Sequence, residues 1–441
     1  MASVSPARAC AFRVVRRVFE QGAYADRALA AEAASLQGRE RALATALSYG
    51  VVQRRATLDH VAQRLTNRPL AKLDPPVLAA LRLGLFQLLY LDGVAEYAAV
   101  NESVELVKRG RRGGAALVNA VLRRGATQGP AILEELDDRG PREAAVLHSV
   151  PQWLAERWWE ELGEESARAL LRHINQPAES ALRVNTLRAT VPEVLERLPV
   201  ASTPAPELPE GLILAGPLDI QSTELWRRGA VMGQSRASML ISRVLGPRPG
   251  ERVLDLCAAP GAKSTQLAAL MENRGSLLAV ERHPGRAWAL ERTCERMGAT
   301  CVRVQIADAV EARGDPAADR VLVDPPCSGL GTLQSRPDVR WRASPQKISE
   351  LIDSQARILA AGAAATAPGG VLVYSVCTIS RAESEELIES FLREHEEFSA
   401  DDLGAEYPAW RHRGDGRYLQ LLPQRDRTDG FFVARLRRAH R

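Results

Sequence analysis

From Gly250 onward the chain alternates short apolar runs with segments of helical period, and this alternation restricts the fold more than any other feature. The runs Arg252–Leu256, Ser276–Glu281, Cys301–Ile306, Arg320–Val323 and Val371–Ser375 read as strands. Helices are expected near 263–271, 284–297, 344–366 and 381–394. Strands separated by connections of helix length cannot pair as hairpins, so the pattern predicts a mostly parallel, doubly wound sheet. Two late runs, Tyr418–Leu422 and Phe431–Leu436, add strands near the end of the chain. In such sheets ligands bind in the crevice outside the carboxyl ends of the strands.

What stands at those ends is therefore the chemistry of the chain. The first strand runs through Asp255 into a tight turn, Cys257-Ala258-Ala259-Pro260-Gly261-Ala262-Lys263, and then a helix. The second ends in Glu281, 20 residues after Gly261, the position of a ribose-binding acid in dinucleotide folds. The turn holds a single glycine and is not G-x-G-x-x-G, so nothing leaves room for a pyrophosphate against the backbone. A nucleoside without phosphates fits better than NAD, and S-adenosylmethionine is the common one. A turn with no ligand is the bland alternative. Two later strands lead into Asp324-Pro325-Pro326-Cys327-Ser328-Gly329 and Tyr374-Ser375-Val376-Cys377-Thr378. One sheet edge thus gathers two thiols, a carboxylate and a cofactor loop, an inventory suited to covalent chemistry on an electrophilic ring.

Bulk properties narrow the rest. A chain of 441 residues is too long for one ordinary core, which points to two or three domains. The six cysteines include no C-x-x-C pair, which argues against a zinc ribbon or a disulfide framework, and no metal is expected. Cys294 and Cys301 read as small packing hydrophobes. No signal-peptide core opens the chain, and no run approaches the ~20 apolar residues of a membrane span. A cytoplasmic protein without membrane contact is the expectation. Net charge is +4, but residues 1–130 hold 19 Lys/Arg against 10 Asp/Glu. That asymmetry suggests that the N-terminal part touches a polyanion, with Lys108, Arg109, Arg111 and Arg112 as its densest cluster. A solvated helix face is the alternative.

The N-terminal part reads as all helix. Ser5-Pro6 is a start signal, followed by Phe12, Val15, Val18 and Phe19 at helical spacing. A second periodic stretch runs from Arg39 to Val61. Asp74-Pro75-Pro76 opens a third, apolar nearly all round and hence central. Two more helices are expected near 98–109 and 114–124. The expected division is a helical bundle at 1–128, a linker at 129–150, a small α/β subdomain at 151–245, and the doubly wound domain at 246–441. In the small subdomain Ala181–Thr186 reads as a strand and the Pro-rich 198–210 as loop.

Taken together, D-L-C-A-A-P-G-A-K, A-D-A at 307–309, D-P-P-C-S-G, Y-S-V-C-T, R-V-N-T-L-R at 183–188 and the closing D-G-F-F-V-A-R-L resemble the RNA cytosine-C5 methyltransferases of the RsmB (Sun/Fmu) type. The resemblance covers nearly the whole chain. It implies a NusB-like RNA-binding bundle at the N-terminus, an RRM-like small subdomain, and a Rossmann-like class I methyltransferase domain with a seven-stranded sheet. It also implies S-adenosylmethionine as cofactor, with the methionine part on the 257–263 loop, the ribose on Glu281 and the adenine near Asp308. The substrate implied is a cytosine of 16S rRNA, in naked RNA or an early small-subunit intermediate, modified by a monomeric enzyme. The chain departs from the family where Ala262 replaces a glycine, Glu281 an aspartate and Val376 a threonine. Ala262 matters only if that position needs φ > 0.

Carbon 5 of cytosine is a poor nucleophile. Thiolate addition at C6 makes the ring enamine-like, so that C5 can attack a methyl group, after which the C5 proton and the thiol must leave. The resemblance gives Cys377 the nucleophilic role, Cys327 the release step, and Asp324 base recognition and N3 protonation. Cys327 as sole nucleophile is the internal competitor. Arg381, near the start of the next helix, is a candidate for lowering the Cys377 pKa. Lys263 reads equally as a neighbour of Asp324 or as a surface lysine. Arg336 and Arg340, after the catalytic loop, are candidate contacts to flanking nucleotides, the alternative being a purely structural loop. A tRNA substrate, or a noncatalytic RNA-binding assembly factor, are the rival functions.

Overall fold

A proline in the first turn and a glycine just past the last bound the first helix, Pro6–Gln21, which stops where Gly22 takes a left-handed φ of 66°. The computed structural model describes residues 4–108, 114–312 and 317–440. Arg109, Arg111 and Arg112 of the basic cluster, and Gly113, lie outside the described residues. The chain divides into two units, one of residues 1–176 with 333–342 and one of 177–332 with 343–441.

The first unit is helical. Its centre is Pro75–Tyr90, whose Leu81, Leu83 and Leu85 are fully buried, as its all-round apolar pattern requires. Neighbouring helices approach it through glycine. A Cβ on Gly50 would lie 1.9 Å from the Phe86 ring, and one on Gly84 2.4 Å from Leu122. The stretch expected at Arg39–Val61 is two helices, Gly38–Gln53 and Arg55–Arg64, broken at Arg54.

The linker expected at 129–150 is instead helix over 129–134 and 141–147. Gly114–Glu134 runs through Gly129-Pro130 and buries Ile132, and Pro141–Leu147 buries Ala144 and Ala145. Gly129 is there for packing rather than freedom, because a Cβ would come 2.7 Å from Leu89. Composition suggested a loop, and tertiary contact overrode it.

Residues 333–342 also reverse an expectation. Arg340 is fully buried and reads no nucleotide. It donates to the carbonyls of Ser149 at 3.1 Å and Leu333 at 3.2 Å, and to Asn175 Oδ1 at 2.9 Å. Burial pushes its pKa down to about 9, with Arg54 adding repulsion, so it stays charged at neutral pH. Trp341 Nε1 donates to the Val52 carbonyl at 2.7 Å. Only Arg336 of the two candidate arginines is exposed.

The second unit holds two sheets. The smaller is antiparallel, formed by β1 (Ala181–Val184), β2 (Ser202–Pro204), β3 (Gly211–Leu214) and β4 (Val231–Gly233) in the order β2-β3-β1-β4. The Pro-rich segment read as loop thus contains an edge strand, where Pro204 lacks no ladder partner it needs.

The larger sheet comprises β5 (Arg252–Asp255), β6 (Ser276–Glu281), β7 (Val302–Ile306), β8 (Ala318–Val323), β9 (Thr366–Val376), β10 (Phe398–Ala400), β11 (Leu419–Leu421) and β12 (Phe431–Arg438). Its order is β10-β12-β9-β8-β5-β6-β7, with β11 on β12 as an eighth strand beyond the seven expected. Strands β5 to β9 pair in parallel, and β12 joins antiparallel to β9. The chain goes outward from β5 through β6 and β7, then crosses back to β8 on the other side of β5. That reversal opens a crevice between the ends of β5 and β8.

If Arg340 is a scaffold, Arg340→Met should lower the urea-unfolding free energy of the full chain by about 2–3 kcal/mol through orphaned carbonyls. Arg336→Met should change it by no more than about 0.5 kcal/mol.

Candidate active site

The Cys257–Lys263 loop is fastened to the strands on both sides of it. The Leu256 amide donates to the Leu322 carbonyl at 3.1 Å, and the Ala258 amide to the Val280 carbonyl at 3.0 Å. Ala258 and Ala259 are buried, Pro260 is exposed, and the Ala259–Pro260 peptide is cis. Gly261 has φ 102°, and a Cβ there would lie 2.7 Å from Leu290, so both conformation and space demand glycine. Ala262 is the first residue of the helix Ala262–Leu270 and has no positive φ, so its departure from the family pattern carries no strain. Burial, with several acids nearby, pushes the Cys257 thiol far up, which makes it an inert lining residue.

Two arginines that the sequence reading did not single out hold this loop. Arg286 donates to the Ala259 carbonyl at 2.7 Å and pairs with Glu281 at 3.2 Å. Glu281 is buried at the end of β6. Arg183, fully buried on β1, donates to Gln234 Oε1 at 2.8 Å and Thr265 Oγ1 at 2.9 Å, tying the small sheet to the helix after the loop. At the end of β7, Asp308 is exposed and caps the Val310 amide at 3.0 Å. Ile306 and Val310 beside it are exposed apolar side chains.

Asp324, just past β8, is gripped on both oxygens. Lys263 Nζ donates to Oδ2 at 2.7 Å, and Ser375 Oγ donates to Oδ1 at 2.8 Å. Lys263 is thus a neighbour of Asp324 rather than a surface lysine. Burial works against its ammonium, yet the Asp324 charge outweighs that and holds its pKa above the usual lysine value. Arg381 Nε donates to Glu385 at 2.7 Å.

The two thiols meet. Cys327 Sγ lies 3.2 Å from Cys377 Sγ, within S–H···S distance. The hydrogen bond to Cys377, burial and nearby acids all push the Cys327 thiol well up, and either sulfur can donate in the contact between them. One carboxylate, one ammonium and two sulfurs from the ends of β5, β8 and β9 therefore form a single cluster. Cys294 packs in the core, Cys301 is half-buried, and no cluster of metal-ligating residues occurs among the described residues. Of the candidate RNA contacts that are described, Lys108 is exposed and paired with Glu105.

Comparison with known proteins agrees along the chain. Residues 242–437 match the family model for 16S rRNA methyltransferase RsmB/F, residues 5–127 the NusB family, and residues 150–221 the ferredoxin-like domain of RsmF/B-like methyltransferases. A probable ribosomal RNA small subunit methyltransferase B from Synechocystis is 36% identical over 98% of this chain and 99% of its own. Ribosomal RNA small subunit methyltransferase B from Thermus thermophilus is 36% identical over 91% of this chain and 90% of its own. The crystal structure of PH0851 superposes with a TM-score of 0.85 at 28% identity, covering 99% of both chains.

Asp255, at the end of β5, is buried, accepts from Ser264 Oγ at 2.7 Å through Oδ2, and has no partner on Oδ1. Burial raises its pKa to about 6, with the Asp324 charge adding to the shift. Between pH about 4 and 6 the unfolded chain has lost this proton while the folded one keeps it. The Asp255 contribution to stability is therefore full below pH about 4 and falls by about 2–3 kcal/mol as pH rises through 6. Asp255→Asn should abolish that decline, so that denaturant melts separate variant from wild type at pH 7 but not at pH 4.

Proposed function

Because the chain belongs to the 16S rRNA methyltransferase RsmB/F family, we propose that it methylates C5 of a specific cytosine in 16S rRNA through a covalent bond between Cys377 and C6. S-adenosylmethionine is the methyl donor and supplies, when bound, a methyl group activated on a sulfonium. The residues present suit it. The Cys257–Lys263 turn has no Cβ at Gly261, where it bends most sharply, and Glu281 stands at the next strand end. The exposed Ile306 and Val310 beside Asp308 offer an apolar flank that a purine ring would cover.

The observation that carries the reading is the 3.2 Å approach of two thiols beside a carboxylate held by Lys263 and Ser375. A methyltransferase acting on an exocyclic amine needs no thiol. Attack on C6 needs one, and elimination needs a second proton-transfer group. Cys377 adds to C6, and the electrons of the C5–C6 bond move into the ring as N3 is protonated. Asp324, fixed on both sides, addresses N3 and the exocyclic amine. After C5 has taken the methyl group, the C5 proton passes to the Cys327 sulfur as thiolate, the C5=C6 double bond re-forms, Cys377 leaves as a thiolate, and N3 returns its proton to the Asp324 carboxylate. The pocket accepts only a single-stranded or extruded base. The reading places the enzyme in the cytoplasm, acting as a monomer on naked RNA or an early assembly intermediate. Among the described residues no helix is long and apolar enough to cross a membrane. The exposed Lys108 and Arg336 are proposed phosphate contacts, which would be salt-sensitive and unspecific in sequence.

Trapping tests the assignment. With S-adenosylmethionine and RNA carrying 5-fluorocytosine, the wild type should form a gel-stable protein–RNA adduct and Cys377→Ala none. Cys327→Ala should accumulate an adduct on ordinary RNA. Normal methylation by both variants would sink the covalent mechanism.

A further inference from the structure

Each of the two thiols is followed by a hydroxyl residue, Ser328 after Cys327 and Thr378 after Cys377, and both hydroxyls converge on one buried carboxylate. Glu383 is fully buried in the short turn Arg381–Glu383 beyond Cys377. Its Oε1 accepts from the Ser328 amide at 2.8 Å and from Gln355 Nε2 at 3.0 Å. Its Oε2 accepts from Ser328 Oγ at 2.6 Å and from Thr378 Oγ1 at 3.5 Å. The two hydroxyl oxygens are themselves 2.8 Å apart. Gln355 also donates to the carbonyl of Pro326, the residue before Cys327, at 3.0 Å. Tyr374 Oη donates to the Glu383 carbonyl at 2.8 Å.

A carboxylate taken from water without a cation is costly, and a fold keeps one only where its donors are fixed. Here every donor to the side chain belongs either to a thiol-bearing loop or to Gln355, which itself holds the Cys327 loop. We propose that Glu383 is a positioning residue that sets the register of the Cys327 loop against the Cys377 loop, and so the sulfur–sulfur separation. The inference rests on the reading that both thiols act in the reaction. The Glu383 charge also acts, after the Cys377 hydrogen bond and burial, to keep Cys327 protonated. The loops also meet through the Gly331 amide on the Cys377 carbonyl at 3.1 Å, and loss of the clamp would free the Cys327–Ser328 end to shift about that contact, where displacements of an ångström at reacting groups carry large rate penalties.

The test reads the spacing directly. Phenylarsine oxide condenses with two adjacent thiols, forming two As–S bonds and releasing water, and binds tightly only when both sulfurs are within reach. Glu383→Gln keeps the shape but removes the charge and replaces one acceptor oxygen with an amide nitrogen, so that the Ser328 and Thr378 hydroxyls must reverse their pairing to satisfy it. In the folded variant, arsenical affinity should fall about tenfold or more as chelation is lost. The rate of 5-fluorocytosine adduct formation should fall roughly tenfold or more, while cofactor affinity and the KM for RNA stay near wild type. A merely structural role would lower the melting temperature without moving the arsenical affinity. Should Glu383→Gln fail to fold, the double variant Ser328→Ala/Thr378→Val carries the same expectation. Arsenical affinity and adduct rate within twofold of wild type in a folded variant would overturn the proposal. Absence of any adduct with the wild type would overturn the covalent reading instead, and the arsenical contrast would still report on Glu383.

Discussion

The parallel crossover at β5 is the constraint on which the rest depends. A chain that lays β6 and β7 on one side of β5 and then returns for β8 and β9 on the other leaves a gap between diverging loops at one edge. Everything reactive stands at that gap. The Cys257–Lys263 turn follows β5, Asp324 follows β8 and Cys377 follows β9. The antiparallel return of β12 onto β9 covers the far side, and its Phe431 ring lies 5.6 Å from Lys263 Nζ. Without the reversal of strand order, residues separated by 61 and 50 positions, Lys263 from Asp324 and Cys327 from Cys377, would have no reason to meet.

Three acids buried or half-buried near that edge show three answers to the same electrostatic problem. Asp255 has one hydroxyl donor and no cation in contact, and its pKa rises until the neutral form competes. Asp324 has an ammonium and a hydroxyl, one on each oxygen. Glu383 has an amide, a carboxamide and two hydroxyls. The differences divide their work. Asp324, alone of the three, is bonded by a cation that also bears on Cys377, and it is also the one left partly open to a substrate. The two fully enclosed acids serve the scaffold around it.

Much of this was legible beforehand where local rules and periodicity agree. Strand Ser276–Glu281 and helix Pro284–Met297 lie where the alternation of apolar runs and helical period put them. Legibility failed where long-range contact outweighed composition. Gly129-Pro130 looked like a chain break but sits in a helix pressed on Leu89. The arginines of 336–342 looked alike, yet Arg340 is sealed under backbone carbonyls and Arg336 is exposed. Short strands of the small sheet, three or four residues each, carry too few alternations to stand out.

The sequence by itself determined the type of sheet, the identity of the strand ends and the kinds of group gathered there, because period and turn chemistry are local and strand ends in a parallel sheet share one edge. Only the tertiary structure decided which of those groups touch. That Lys263 holds Asp324, that the two sulfurs stand 3.2 Å apart, and that Glu383 joins the loops bearing them are distances across the sheet edge. They are set by loop packing and by the high cost of a buried unpaired charge, neither of which is written at any single position along the chain.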